Sequence, residues 1–146
     1  MSSFVFLVHH ADALSPGVDP MQPLSFAGRA GVERLAAEAA GRGVKPVCIW
    51  HSGKLRARQT GQAFWQACNP FSTITAERGL LPGDPPEWIR DRLAGETRDI
   101  MVVSHMPYLP ALLALMTGRE HADFPSHGIV ALEAEGDGWI EKWRLD

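Results

Sequence analysis

The chain has 146 residues, 45% of them hydrophobic and 21% charged, with a formal net charge of −3. That length sets a single domain, able to bury about two thirds of the surface its unfolded chain exposes. The mildly acidic balance excludes a general basic footprint for nucleic acid or an acidic membrane, so any positive potential is local, with Arg56 and Arg58 the obvious patch.

No apolar run approaches the roughly eighteen residues of a membrane span, and no basic-then-apolar leader opens the chain. Cys48 and Cys68 lack CxxC spacing, which argues against a zinc or redox motif and fits a reducing cytoplasm. The first element is Phe4-Val5-Phe6-Leu7-Val8, an apolar run rich in β-branched and aromatic residues that reads as a buried strand and runs into His9-His10. A loop rich in Pro, Gly and Asp follows from Asp12 to Pro23. Ser25 is then the expected N-cap of a helix reaching about Ala40, with Val32, Leu35, Ala36 and Ala39 on its apolar face and Gly41 and Gly43 as stop signals.

Val47-Cys48-Ile49-Trp50 reads as a second strand, ending at His51. The spacing predicts a helix from about Leu55 to Ala67, with Thr60, Ala63, Phe64 and Ala67 on one stripe. A weak strand around Ser72–Ala76 precedes a loop from Gly79 to Asp84. Asp84-Pro85-Pro86-Glu87 has the form of a capping box with proline at the first helical position, opening a short helix whose inner face carries Trp88, Ile89, Arg92 and Leu93. Ile100-Met101-Val102-Val103 is a further strand, leading through Ser104 to His105. Pro107 then opens a helix bearing Leu109, Leu112, Leu113 and Met116. Ile129–Glu133 and Trp139–Trp143, joined at Gly136-Asp137-Gly138, read as a β-hairpin.

Alternating strands and helices predict an α/β fold: a three-layer sandwich with a mostly parallel sheet between helices and an antiparallel hairpin at the C-terminal end. In such sheets ligands bind beyond the carboxyl ends of the strands, which here carry His9, His10, His51 and His105. A neutral imidazole is a good nucleophile toward phosphorus when one nitrogen is free and the other donates to a fixed acceptor. His10, just past a buried strand, suits that role. Arg56 stands one turn into a helix, where backbone N–H groups and a guanidinium together favour a phosphate. With no Asp, Glu or Cys at ligand spacing, neither a metal nor any other cofactor is expected. His51 reads as structural, His121 as surface, Arg58 as an exposed helix residue and the five tryptophans as core and edge packing, while His127, ahead of the last hairpin, borders the cleft without an assigned role.

Four segments carry a family resemblance. Leu7-Val8-His9-His10-Ala11-Asp12-Ala13 resembles the RHG/RHA signature of the histidine phosphatase (phosphoglycerate mutase-like) superfamily. Gln22-Pro23-Leu24-Ser25 through Gly28 is similar to its RPL[ST]xxG segment, Ser52 through Thr60 to its S-x-x-x-R-A-x-Q-T block, and Ser104-His105-Met106-Pro107 to its second-histidine block. Their order and spacing agree over nearly the whole chain. The small size, without a large inserted cap, looks most like the SixA-type phosphohistidine phosphatases and speaks against a mutase.

The resemblance implies His10 as the phosphoryl-accepting nucleophile, Arg56 and His105 as phosphate ligands, and Asp84 as an acid for the leaving group, the role its capping box competes with. It implies a metal-independent phosphatase acting on phosphohistidine proteins or small phosphate monoesters through an open crevice. The pattern has arginine before the nucleophile, where this chain has His9. A unit charge about 5 Å from a phosphate charge, at an effective dielectric constant near 20, is worth roughly 3 kcal/mol, or about a hundredfold in rate. His9 is therefore expected to work as a cation, with turnover rising as pH falls toward 6. The alternative is a module that recognises phosphate with little turnover.

Overall fold

The computed structural model describes residues 3–146. Its elements in chain order are β1 (Phe4–His9), α1 (Phe26–Gly41), β2 (Cys48–His51), α2 (Leu55–Cys68), β3 (Thr73–Ala76), α3 (Glu87–Ala94), β4 (Ile100–Ser104), α4 (Tyr108–Thr117), β5 (Ile129–Glu135) and β6 (Gly138–Leu145). The described strands form one sheet of six in the order β3-β2-β4-β1-β5-β6. β3, β2, β4 and β1 are mutually parallel, while β5 runs antiparallel to β1 and β6 to β5. This is the mostly parallel, hairpin-ended sheet that the alternation of patterns predicts.

Successive residues of a strand point to opposite faces, and the core divides accordingly. Val5, Leu7, Trp50, Ile100 and Val102 meet Ile89 and Leu93 of α3 and Leu109, Leu112 and Leu113 of α4. On the other face Phe6, Val8, Ile49, Met101 and Val103 meet Val32, Leu35 and Ala36 of α1 and Ala57 and Phe64 of α2. Burial on both sides explains why these strands read as continuous apolar runs rather than alternating ones. No described helix is long and apolar enough to cross a membrane.

Three local expectations are corrected. Ala67 is exposed, and the buried stripe of α2 runs through Ala57, Thr60, Gly61 and Phe64 instead. Trp88 is 57% exposed, so the inner face of α3 is Ile89 and Leu93, with the Arg92 guanidinium lying 4.1 Å over the Trp50 ring. Asp84 does not cap α3: the N-cap is Pro86, without a side-chain bond, and the Asp84 carboxylate instead accepts the Leu81 N–H at 2.9 Å. Proline has no N–H to give a capping carboxylate, whereas the turn before it offers one.

Candidate active site

The register of the sheet sets the site. His9 pairs with Ser104 across the parallel β1–β4 ladder, so His10 and His105 leave neighbouring strands side by side. Backbone bonds pin both exits: the His10 N–H donates to the Ser104 carbonyl at 3.1 Å and the His9 N–H to the Gly128 carbonyl at 3.0 Å. The rings of His10 and His105 then stand 5.0 Å apart. His10 directs Nδ1 to its neighbour's carbonyl, Ala11 O, at 2.8 Å. A carbonyl only accepts, so Nδ1 carries the proton and Nε2 keeps a free lone pair. Burial, with Arg56 and His127 nearby, pushes the His10 pKa down, which favours that neutral form.

The loop after His10 is fastened to both flanking helices. The Ala11 N–H donates to the Thr60 hydroxyl at 2.9 Å, and that hydroxyl donates to the Arg56 carbonyl at 2.8 Å. Ser25 caps α1 as its sequence position predicts, accepting the Gly28 N–H at 2.9 Å and donating to the Asp12 carboxylate at 2.6 Å. Gly28 permits this approach, since a Cβ there would fall 2.0 Å from the Asp12 carbonyl oxygen. Gln59 accepts the Leu24 N–H at 2.8 Å. Ser25, Gly28, Gln59 and Thr60 thus hold the loop that presents the nucleophile candidate.

Arg56 is half-buried and makes no ion pair among the described residues. Its charge bears on His9, His10 and His105 alike, in each case disfavouring a proton. His105 is 1% exposed and its Nε2 lies 2.6 Å from Ser52 Oγ, a partner sequence reasoning did not assign although Ser52 opens a matched block. Asp84 stands apart from the imidazoles, in a groove that also holds Ser52, Glu77 and Trp88.

Two further histidines lie near the ends of strands, with different parts to play. His51 is buried at the end of β2, where its Nδ1 accepts the Gly53 N–H at 3.1 Å, and it does not join the ring cluster. His127, given no role from the sequence, joins it: its ring stacks on His9 at 4.7 Å and 8° and lies 6.1 Å from the ring of His10. The His127 backbone N–H donates to His9 Nδ1 at 2.8 Å, so the proton of neutral His9 is on Nε2. His9 is therefore a neutral donor. Burial first, then His10, His127 and Arg56, pushes its pKa down to about 3. Without a bound phosphate this works against the cationic His9 expected near pH 6, because a proton on Nδ1 would displace a backbone bond.

The cluster has a measurable thermodynamic signature. His9 and His105, both held at about 3 chiefly by burial, would titrate near 6.5 in the unfolded chain. Above 6.5 neither state is protonated and stability is full; below it the unfolded chain takes up protons the folded one excludes, so stability falls. The loss is on the order of 2 kcal/mol per ring at pH 5. The urea midpoint is expected to drop between pH 7.5 and pH 5, and to drop less in His105→Asn. Equal midpoints in the wild type would contradict the buried neutral cluster.

No family model matches the chain, and no curated protein matches it either; its likeness is to solved structures. One, described as a SixA phosphohistidine phosphatase from Agrobacterium tumefaciens, is 28% identical with a TM-score of 0.83, the match covering 100% of this chain and 99% of that one. Another, the protein histidine phosphatase SixA complexed with tungstate, is 23% identical with a TM-score of 0.87, covering 97% and 96% of the two chains. A phosphoglycerate mutase from Plasmodium falciparum shares the fold at 13% identity and a TM-score of 0.75, over 98% of this chain and 90% of that one. In fold and length the chain is similar to the structures described as SixA histidine phosphatases, and it shares its fold with the phosphoglycerate mutase.

Proposed function

We propose that the protein is a phosphatase working through a covalent phosphohistidine on His10, with phosphohistidine side chains of proteins or small phosphate monoesters as substrates. The observation that carries this reading is the state of His10: Nδ1 tied to a carbonyl at 2.8 Å, Nε2 free, and the His105 ring 5.0 Å away. The Nε2 lone pair attacks phosphorus, an N–P bond forms, and the bond to the leaving group breaks with its electron pair. Water then attacks the phosphoryl-imidazole, the N–P bond breaks, and inorganic phosphate leaves with His10 restored. Arg56 and His105 hold the phosphoryl oxygens, and His9 adds its Nε2–H.

A poor leaving group needs a proton, for which Asp84 is the candidate acid. The groove it lines also holds Ser52, the hydrogen-bond partner of His105, which supports that role, while its bond to the Leu81 N–H is a structural use of the same carboxylate. A leaving imidazole needs the acid less than an alkoxide does. The likeness to structures described as phosphohistidine phosphatases favours the first substrate class.

Trapping tests the mechanism. Incubation with a labelled phosphoryl donor and a quench in base is expected to leave an acid-labile phosphoryl group on His10. Stoichiometric phosphate binding with no label on the protein would favour the recognition module instead.

A further inference from the structure

His127 comes from the loop that precedes β5 and is bound by both its backbone and its ring to the His9-His10 segment. Its backbone N–H meets His9 Nδ1 at 2.8 Å, and its own Nδ1 meets the His10 carbonyl at 2.7 Å. That carbonyl accepts, so Nδ1 of His127 carries a proton and its Nε2 is uncommitted. The residue holds a φ of +54°, a left-handed conformation that side-chain-bearing residues adopt at a cost and that concentrates at functional sites. The next residue has to be glycine, because a Cβ on Gly128 would lie 2.3 Å from the Leu145 carbonyl. The loop is therefore held closely against the sheet end. One ring nitrogen of each of His9, His10 and His127 falls within 4.8 Å of the other two.

We propose that His127 is a phosphoryl-binding residue, its ring stacked on His9 and giving the phosphoryl oxygens a donor beside the His9 Nε2–H. The inference rests on the phosphatase reading of the site. Together the two rings stand in for the arginine that the resemblance places before the nucleophile: His9 gives a neutral donor, and His127 brings the charge when a bound dianion draws a proton onto Nε2. Burial keeps His9, His10 and His105 toward their neutral forms, and His127 is the exposed ring of the four. The charged and titratable groups around it are His9, His10 and Asp12 from β1 and the loop after it, Arg34 and Glu38 of α1, Arg56 of α2, and Asp146 beyond β6.

The same three nitrogens invite comparison with a metal site. His9 does not suit one: its Nδ1 already receives a backbone N–H, so its other nitrogen bears a proton and has no lone pair for a cation.

Calorimetric binding of tungstate, a dianion that does not titrate between pH 6 and 8, tests the proposal in a double-mutant cycle. Asparagine tolerates the left-handed backbone, so His127→Asn removes the ring with little strain. At pH 6.5 it is expected to weaken tungstate about tenfold or more in the wild-type background, and less than twofold once His9→Arg supplies the charge. Wild-type affinity falls from pH 6 to pH 8, and that slope flattens in His127→Asn. A wild-type-background loss under twofold overturns the proposal. So does an equal loss in both backgrounds, which would mean the ring only supports the His10 carbonyl. Turnover abolished by a chelator and restored by zinc would also overturn it, in favour of a metal. Tungstate binding without label on His10 would sink the phosphatase reading while leaving the binding role of His127 standing; binding of neither would sink both.

Discussion

His10→Gln is expected to turn over phosphate monoesters at least roughly a thousandfold more slowly than the wild type, with no acid-labile phosphoryl group accumulating on it. Glutamine approximates the length of the imidazole and brings its amide to about where Nε2 stands, giving up the Nδ1–H bond to the Ala11 carbonyl at 2.8 Å. It has no nucleophilic nitrogen. The loss therefore falls on kcat, with tungstate binding changed far less, because Arg56, His105 and the Thr60-anchored loop remain. The Ala11–Thr60–Arg56 relay involves the backbone of Ala11 rather than the ring of His10, so the fold should survive the change. Single-turnover kinetics with a chromogenic aryl phosphate, read beside thermal unfolding, makes the comparison. Retention of more than a tenth of wild-type kcat would place the nucleophile elsewhere.

Arg56→Met is the second large effect, with an expected loss of about a hundredfold in kcat/KM, the roughly 3 kcal/mol of one unit charge near a phosphate. The figure rests on Arg56 being half-buried, making no ion pair with a described carboxylate, and bearing by its charge on His9, His10 and His105. Arg56→Lys keeps the charge and loses the planar fork, and recovers only part of the deficit. The substitution has a second consequence of opposite sign. Arg56 disfavours protons on His9, His10 and His105, so removing it lets all three pKa values rise. The acid limb of the pH–rate profile in Arg56→Met should shift to higher pH. An unchanged limb would mean the guanidinium points away from the rings.

The sheet and its helices were legible because double-sided burial leaves uninterrupted apolar runs, and because Ser25 and Pro107 mark helix starts that both hold in the structure. The His10–His105 pairing was legible for the same reason: adjacent parallel strands deliver their next residues to one rim. His127 was hidden. It lies 118 positions from His9, in an aperiodic loop, and only the antiparallel return of β5 along β1 brings it to the rings. His9 was legible as a departure from the arginine pattern, but its tautomer was not, since that depends on a backbone N–H contributed by the same loop. The capping box at Asp84 was misread because sequence shows a carboxylate ahead of two prolines without showing which N–H it reaches.

The hairpin has a use that follows from its direction. β5 starts beside Val8, at the rim that carries the imidazoles, and reaches its turn with β6 beyond the partner of Phe4, at the opposite end of the sheet. Gly136-Asp137 is therefore a handle on the quiet side of the molecule. A fluorophore or surface tether attached there leaves the entry to the crevice unobstructed, so phosphoryl turnover can be followed on an immobilised protein.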